Sequence, residues 1–135
     1  MNTYYELNNG LAIPAAGFGT FQSEPEKTAA AVSKAIECGF RQIDTAALYN
    51  NEKEVGEGIA DALGKVCKAD GTQLKREDLY VVTKVWNTDR GYGRTMRAFE
   101  KSLKLLNMDY IDLYLVHWPA SPSQYQCWKE LNLET

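Results

Sequence analysis

The 135-residue sequence holds one histidine, four prolines and three cysteines, and its charges nearly cancel, at a net −3. Each scarcity excludes something. A small negative charge leaves no electrostatic footprint for nucleic acid or for an anionic membrane surface. No apolar run approaches the roughly 20 residues that a membrane-spanning helix needs. Cys38, Cys67 and Cys127 are odd in number and widely scattered. That pattern suits reduced thiols in a cytoplasmic protein better than a disulfide framework. One histidine and no close cysteine pair leave no ligand set for a structural zinc site. The opening Met1-Asn2-Thr3-Tyr4-Tyr5-Glu6 has neither a basic segment nor an apolar core, so no signal peptide is expected. The rest is ordinary for a soluble globular protein, with 44% hydrophobic and 24% charged residues and length enough for one domain.

Read in order, the chain alternates short apolar runs with helical patterns. Tyr5-Glu6-Leu7 and Leu11-Ala12-Ile13 flank Asn8-Asn9-Gly10, whose Asn-Gly pair predicts a β-hairpin ended by Pro14. Ala15 to Phe21 reads as the first strand of a sheet, leading into a glycine-bearing loop. Ser23 and Pro25 open a helix, with Val32, Ala35 and Ile36 at helical spacing and Gly39 placed to stop it. Phe40 to Asp44 is the second strand. A second helix runs from about Asn51 to Val66, with Val55, Ile59, Ala62, Leu63 and Val66 on one face and charges on the other. Polar Lys68 to Glu77 is a loop, and Leu79 to Lys84 the third strand. Thr88-Asp89-Arg90-Gly91 is a turn. The third helix spans Tyr92 to Leu106, with Met96, Phe99, Leu103 and Leu106 toward the core, and Asp109 to His117 is the fourth strand.

Such alternation predicts an α/β fold with a parallel sheet and right-handed crossovers. Four strands and three helices amount to half of an eight-stranded (β/α) barrel, which takes about 250 residues. A small doubly wound sheet and a barrel completed by a second chain are the alternatives. Ending at Thr135 with no final helix, the sequence reads most simply as a truncated barrel. A half barrel leaves its outer strand edges open to self-association.

Polar residues close three of the apolar runs: Asp44, Lys84 and His117, with Tyr49 five residues after the first. Ligands of parallel α/β folds bind at the carboxyl ends of strands. A phenol with a reference pKa of about 10 donates its proton poorly near neutrality, and a nearby ammonium eases donation by stabilising the phenolate. Tyr49 then reads as a general acid, Lys84 as its activator, Asp44 as the anchor of Lys84 and His117 as a group that orients a substrate carbonyl. The chemistry is carbonyl reduction, and since no side chain supplies hydride, a nicotinamide cofactor is required. Each residue alone has a structural reading. Asp44 serves as a cap or turn former, Tyr49 as a rim aromatic, Lys84 as a solvated strand end and His117 as a structural imidazole. Gly17-Phe18-Gly19 lacks the third glycine of a dinucleotide-binding loop, Gln22 standing in its place, so that fingerprint is rejected.

The motifs in combination resemble the aldo-keto reductases. Asp44-Thr45-Ala46-Ala47-Leu48-Tyr49 with Asn51-Glu52-Lys53-Glu54-Val55-Gly56 is similar to that family's first signature. Val82-Thr83-Lys84-Val85-Trp86 is similar to its lysine-bearing strand, and Leu103 with Tyr110 to Pro119 to its second signature. The resemblance covers nearly the whole chain and implies one NADP-dependent oxidoreductase domain over residues 1–135, cut short within a TIM-type barrel. It implies Tyr49 as proton donor, Asp44 and Lys84 as its tuners and His117 as substrate orienter. Gly19, Thr20 and Asp44 match positions that touch NADPH, and Phe21, Trp86 and Trp118 match positions lining an apolar pocket for an aldehyde or ketone. The family's nicotinamide-stacking tyrosine, its amide-binding residues and its 2′-phosphate loop fall beyond Thr135. Two functions follow: an NADPH-dependent carbonyl reductase of the cytoplasm, or an inactive truncated product or interaction module of the same fold.

Overall fold

Asn9 and Gly10 turn the chain back on itself, Gly10 taking the left-handed φ of 79° that such a turn requires. Residues 3–119 are described by a computed structural model, which begins with this hairpin. Its strands are β1, Tyr4–Glu6, and β2, Ala12–Pro14. The pairing sets Tyr4 against Pro14, the last residue of the second strand, so the hairpin ends where the sequence indicates. A proline fits there because a two-stranded ribbon leaves edge positions that need no N–H.

Four parallel strands follow: β3, Gly17–Gly19; β4, Gln42–Asp44; β5, Tyr80–Val85; and β6, Leu113–Val116. Their order in the sheet is their order in the chain. A doubly wound sheet would reverse direction at a switch point, whereas a barrel adds each strand to the same side, as here. The helices α1, Pro25–Glu37, α2, Glu52–Lys65, and α3, Tyr92–Leu106, are the crossovers.

Most strands are shorter than the apolar runs suggest, and the reasons are local. Phe21 lies outside β3 and is 63% exposed, because the chain turns at Gln22, whose φ is 59°. β4 begins at Gln42 because Phe40 still closes the end of α1, its N–H donating to Ala35 O while Gly39, at φ 101°, donates to Ile36 O. β6 begins at Leu113 because Asp112 is engaged elsewhere. Its carboxylate accepts from Arg76 at 2.7 Å and from the Val81 N–H at 2.8 Å. Within the loop after α2, Cys67 and Gln73 form an isolated bridge and Leu74 is buried.

The core lies between the sheet and the helices. Ile43 and Val81 of the sheet meet Val32 and Ile36 of α1, Val55, Ile59 and Ala62 of α2, and Leu106 of α3. Phe99 of α3 packs edge-on against Tyr114, with centroids 5.1 Å apart. Met96, expected in this layer, is 44% exposed. The first turn of α3 is itself exposed from Tyr92 to Arg94, and among the described residues Met96 continues that open face. Cys127 lies outside the described residues.

Candidate active site

Register brings the first pair together. Asp44 stands opposite Val82 in the sheet, and Lys84 lies two residues further along β5, on the same face. The Lys84 ammonium donates to Asp44 Oδ1 at 2.6 Å and to the carbonyl oxygen of Thr45 at 2.9 Å. Both side chains are only partly exposed, 14% for Lys84 and 31% for Asp44. Two charges so placed hold each other in one geometry more firmly than a surface pair does.

Tyr49 ends a single 3-10 turn, Ala47–Tyr49, and Asn50 follows it in the left-handed conformation at φ 54°. This turn carries the phenol ring back over the pair, with Lys84 Nζ 5.1 Å from the ring centroid. His117 follows β6 directly, and its ring stands edge-on to Tyr49 at 5.6 Å and to Trp86 at 5.2 Å. Phe21 lies 5.1 Å from Tyr49 on the other side, and Trp118 lies 5.4 Å from Trp86. The rim is therefore an arc of four aromatic side chains and one imidazole over an ion pair. Burial pushes the His117 imidazole below its ordinary value, the Lys84 charge pushes it the same way, and Asp44 opposes them. The net effect favours the neutral imidazole, whose Nδ1 is buried with no hydrogen-bond partner among the described residues. All four residues singled out in the sequence, Asp44, Tyr49, Lys84 and His117, thus meet at one rim.

The two residues at the start of α2 were missed as site components. Asn51 reads from sequence as a helix start and Glu52 as one of the charges on the outer face. Asn51 is 1% exposed, and its side chain makes no cap bond to α2. Its Oδ1 accepts from Thr45 Oγ1 at 3.1 Å and Thr20 Oγ1 at 3.4 Å, and its Nδ2 donates to Thr20 O at 2.9 Å. Glu52 is 3% exposed and accepts from Thr83 Oγ1 at 2.6 Å and Ser102 Oγ at 3.2 Å, tying α2 to β5 and α3. The signal for Glu52 was present. Positions 52, 55, 56 and 59 share one helical face, and the last three are apolar or glycine.

Of the residues expected to touch a cofactor, Gly19 is exposed, and a Cβ built on it meets nothing within 4 Å. Thr20 is fully buried, its N–H donating to Asp44 O at 3.0 Å and its one hydroxyl proton shared between Asp44 O at 3.2 Å and Asn51 Oδ1. A groove of about 750 Å³ between α2 and α3 is lined by Leu48, Trp86, Arg94 and Leu105 among others; of the expected site residues only Trp86 borders it, so it is distinct from the rim. No group of acidic, histidine or cysteine side chains among the described residues could hold a metal ion.

The model of the aldo/keto reductase family matches residues 14–132. Morphine 6-dehydrogenase of Pseudomonas putida is 46% identical over 125 residues, which is 91% of this chain and 39% of that protein. The crystal structure of an aldo/keto reductase from Brucella melitensis superposes with a TM-score of 0.80 at 37% identity, covering 97% of this chain and 49% of that one. The Bombyx mori aldo-keto reductase in complex with NADP gives a TM-score of 0.78 at 40% identity, covering 90% of this chain and 40% of that one. The chain spans about two-fifths of the length of the curated relatives it matches.

Proposed function

The chain belongs to the aldo/keto reductase family, and on that premise we propose that it carries the proton-transfer part of an NADPH-dependent reductase of aldehydes or ketones. The observation that carries this reading is the Lys84–Asp44 pair, 2.6 Å apart, lying under the ring of Tyr49. A reduced nicotinamide, when bound, supplies the hydride that no side chain provides. Tyr49 gives its proton to the oxygen of the carbonyl being reduced. The Lys84 ammonium stabilises the phenolate left behind, and Asp44 with the Thr45 carbonyl keeps that ammonium facing the ring. A neutral imidazole keeps one N–H and one lone pair, so His117 can donate a hydrogen bond to the same oxygen without competing with Tyr49 as the acid. Phe21, Trp86 and Trp118 give the carbonyl an apolar wall.

The residues present fit a cofactor at this rim. Gly19 leaves open space beside β3, and Asp44 keeps part of its carboxylate exposed. Thr20, turned inward, contributes by holding Asp44. That a family member of known structure is in complex with NADP supports the choice of cofactor. We place the protein in the cytoplasm, and no helix among the described residues is long and apolar enough to cross a membrane.

NADPH titration followed by tryptophan fluorescence tests this reading. Saturable quenching is expected, because Trp86 and Trp118 border the rim. A folded protein whose fluorescence ignores NADPH would overturn the cofactor assignment.

A further inference from the structure

Asparagine before a helix ordinarily turns its side chain onto the first free N–H groups of that helix. Asn51 does not. Although it is the residue before α2, its amide faces away from the helix and into the sheet end, where it is 1% exposed. Four hydrogen bonds occupy it there: Oδ1 accepts from Thr20 Oγ1 and Thr45 Oγ1, and Nδ2 donates to Thr20 O at 2.9 Å and Ser23 O at 3.3 Å. A buried amide with both ends engaged fixes whatever it bridges. It bridges the two residues that flank the ion pair. Thr45 presents the carbonyl that accepts from Lys84 Nζ at 2.9 Å, and its N–H is tied to Val82 O of the neighbouring strand. Thr20 donates its N–H to the carbonyl of Asp44, and its one hydroxyl proton is shared between that carbonyl at 3.2 Å and Asn51 Oδ1 at 3.4 Å.

We propose that Asn51 is a positioning residue that holds the Lys84–Asp44 pair in place from beneath the rim. It touches neither the pair nor the space above it, and acts through the Thr45 carbonyl on one side and the Asp44 backbone on the other. Glu52, its neighbour, is equally buried but is committed to Thr83 and Ser102, between β5 and α3. The two residues therefore divide the start of α2 between them. Asn51 sets the geometry of the charged pair, and Glu52 joins the helices to the sheet. In catalysis this rests on the reading of Tyr49 and Lys84 as the proton-transfer pair; in geometry it stands alone.

His117 provides a readout that needs no turnover, because it is the chain's one histidine and senses both Lys84 and Asp44. Its imidazole titration is followed by NMR in the full chain and in Asn51→Ala, Thr45→Val and Glu52→Gln. Loss of the amide lets water in around the pair and frees Lys84. The His117 midpoint in Asn51→Ala is then expected to rise toward the free-imidazole value of about 6.5. Thr45→Val removes only the hydroxyl that reaches Asn51, so it moves the midpoint the same way and decides the matter if Asn51→Ala does not fold. Glu52→Gln leaves it unmoved. An unchanged midpoint in the folded Asn51 and Thr45 variants, or an equal shift in Glu52→Gln, would overturn the proposal. Where reductase turnover is measurable, Asn51→Ala lowers kcat by up to about 100-fold with KM little changed. If Tyr49→Phe keeps full turnover, the reading of Tyr49 as proton donor fails while the His117 result still judges Asn51.

Discussion

His117 is the residue whose electrostatics can be read most directly. Its folded value lies below the ordinary 6.5 because of burial and then of Lys84, with Asp44 pulling the other way. The sign for stability follows. As pH falls below about 6.5 the unfolded chain takes up a proton before the folded one does. The stability tied to neutral His117 is complete above that pH and is lost as pH falls through the lowered folded value. Lys84→Met is expected to raise the His117 midpoint and Asp44→Asn to lower it further. NMR titrations moving in the opposite directions would contradict the arrangement at the rim. Tyr114 is the opposite case. Burial, and then the charges of Glu52 and Asp89, push its phenol up to about 12, and its hydroxyl has no hydrogen-bond partner among the described residues. A buried hydroxyl without a partner costs about 1–3 kcal/mol on mutational scales. Tyr114→Phe is therefore expected to leave stability unchanged or raise it, read by urea unfolding. A clear loss of stability would mean that the hydroxyl is satisfied.

Between elements, the closest approaches are made by glycines. A Cβ on Gly56 would overlap the backbone carbonyl of Leu106, and one on Gly58 the carbonyl of Ala29. Both sit in α2, whose neighbours α3 and α1 approach to backbone contact at these points. Alanine gains about 1 kcal/mol over glycine within a helix. At Gly56 and Gly58 the overlap outweighs this, because backbone cannot swing aside as a side chain can, and overpacking costs about 1–3 kcal/mol. At Gly64, where a Cβ meets nothing within 4 Å, only the propensity gain remains. Denaturant unfolding should show Gly56→Ala and Gly58→Ala destabilised and Gly64→Ala stabilised; the same sign at all three would refute this packing. The elements themselves were legible, since α3 runs Tyr92–Leu106 as its apolar spacing indicates and every strand falls within or beside an apolar run. Their ends were not. β6 loses Asp109 to Asp112 to a contact with Arg76, a residue 36 positions away, and nothing local announces it. Close approach at Gly56 and Gly58 was equally hidden, because a helical glycine reads only as a weak helix former.

For the molecule as a whole, strand order and family both follow from the order of motifs in the chain. The four candidate residues could be singled out from sequence because three close apolar runs, Tyr49 follows the first by five residues, and together they resemble one family's motifs. Their convergence could not be derived from spacing alone, since it depends on the register that sets Asp44 against Val82 and so places Lys84 on the same face. Asn51 was hidden for a different reason: before a helix, an asparagine is fully explained as a cap until its side chain is seen turned the other way. What unites these features is one rim, in which β4, β5, β6 and the start of α2 each deliver a group around Tyr49. That Tyr49 gives the proton is the central claim. Its most direct test is the rate of NADPH consumption with a simple aldehyde, in the protein and in Tyr49→Phe, each first shown to bind NADPH. Turnover lost in Tyr49→Phe while NADPH binding is kept is the expected result. Turnover retained without the phenol hydroxyl would contradict it.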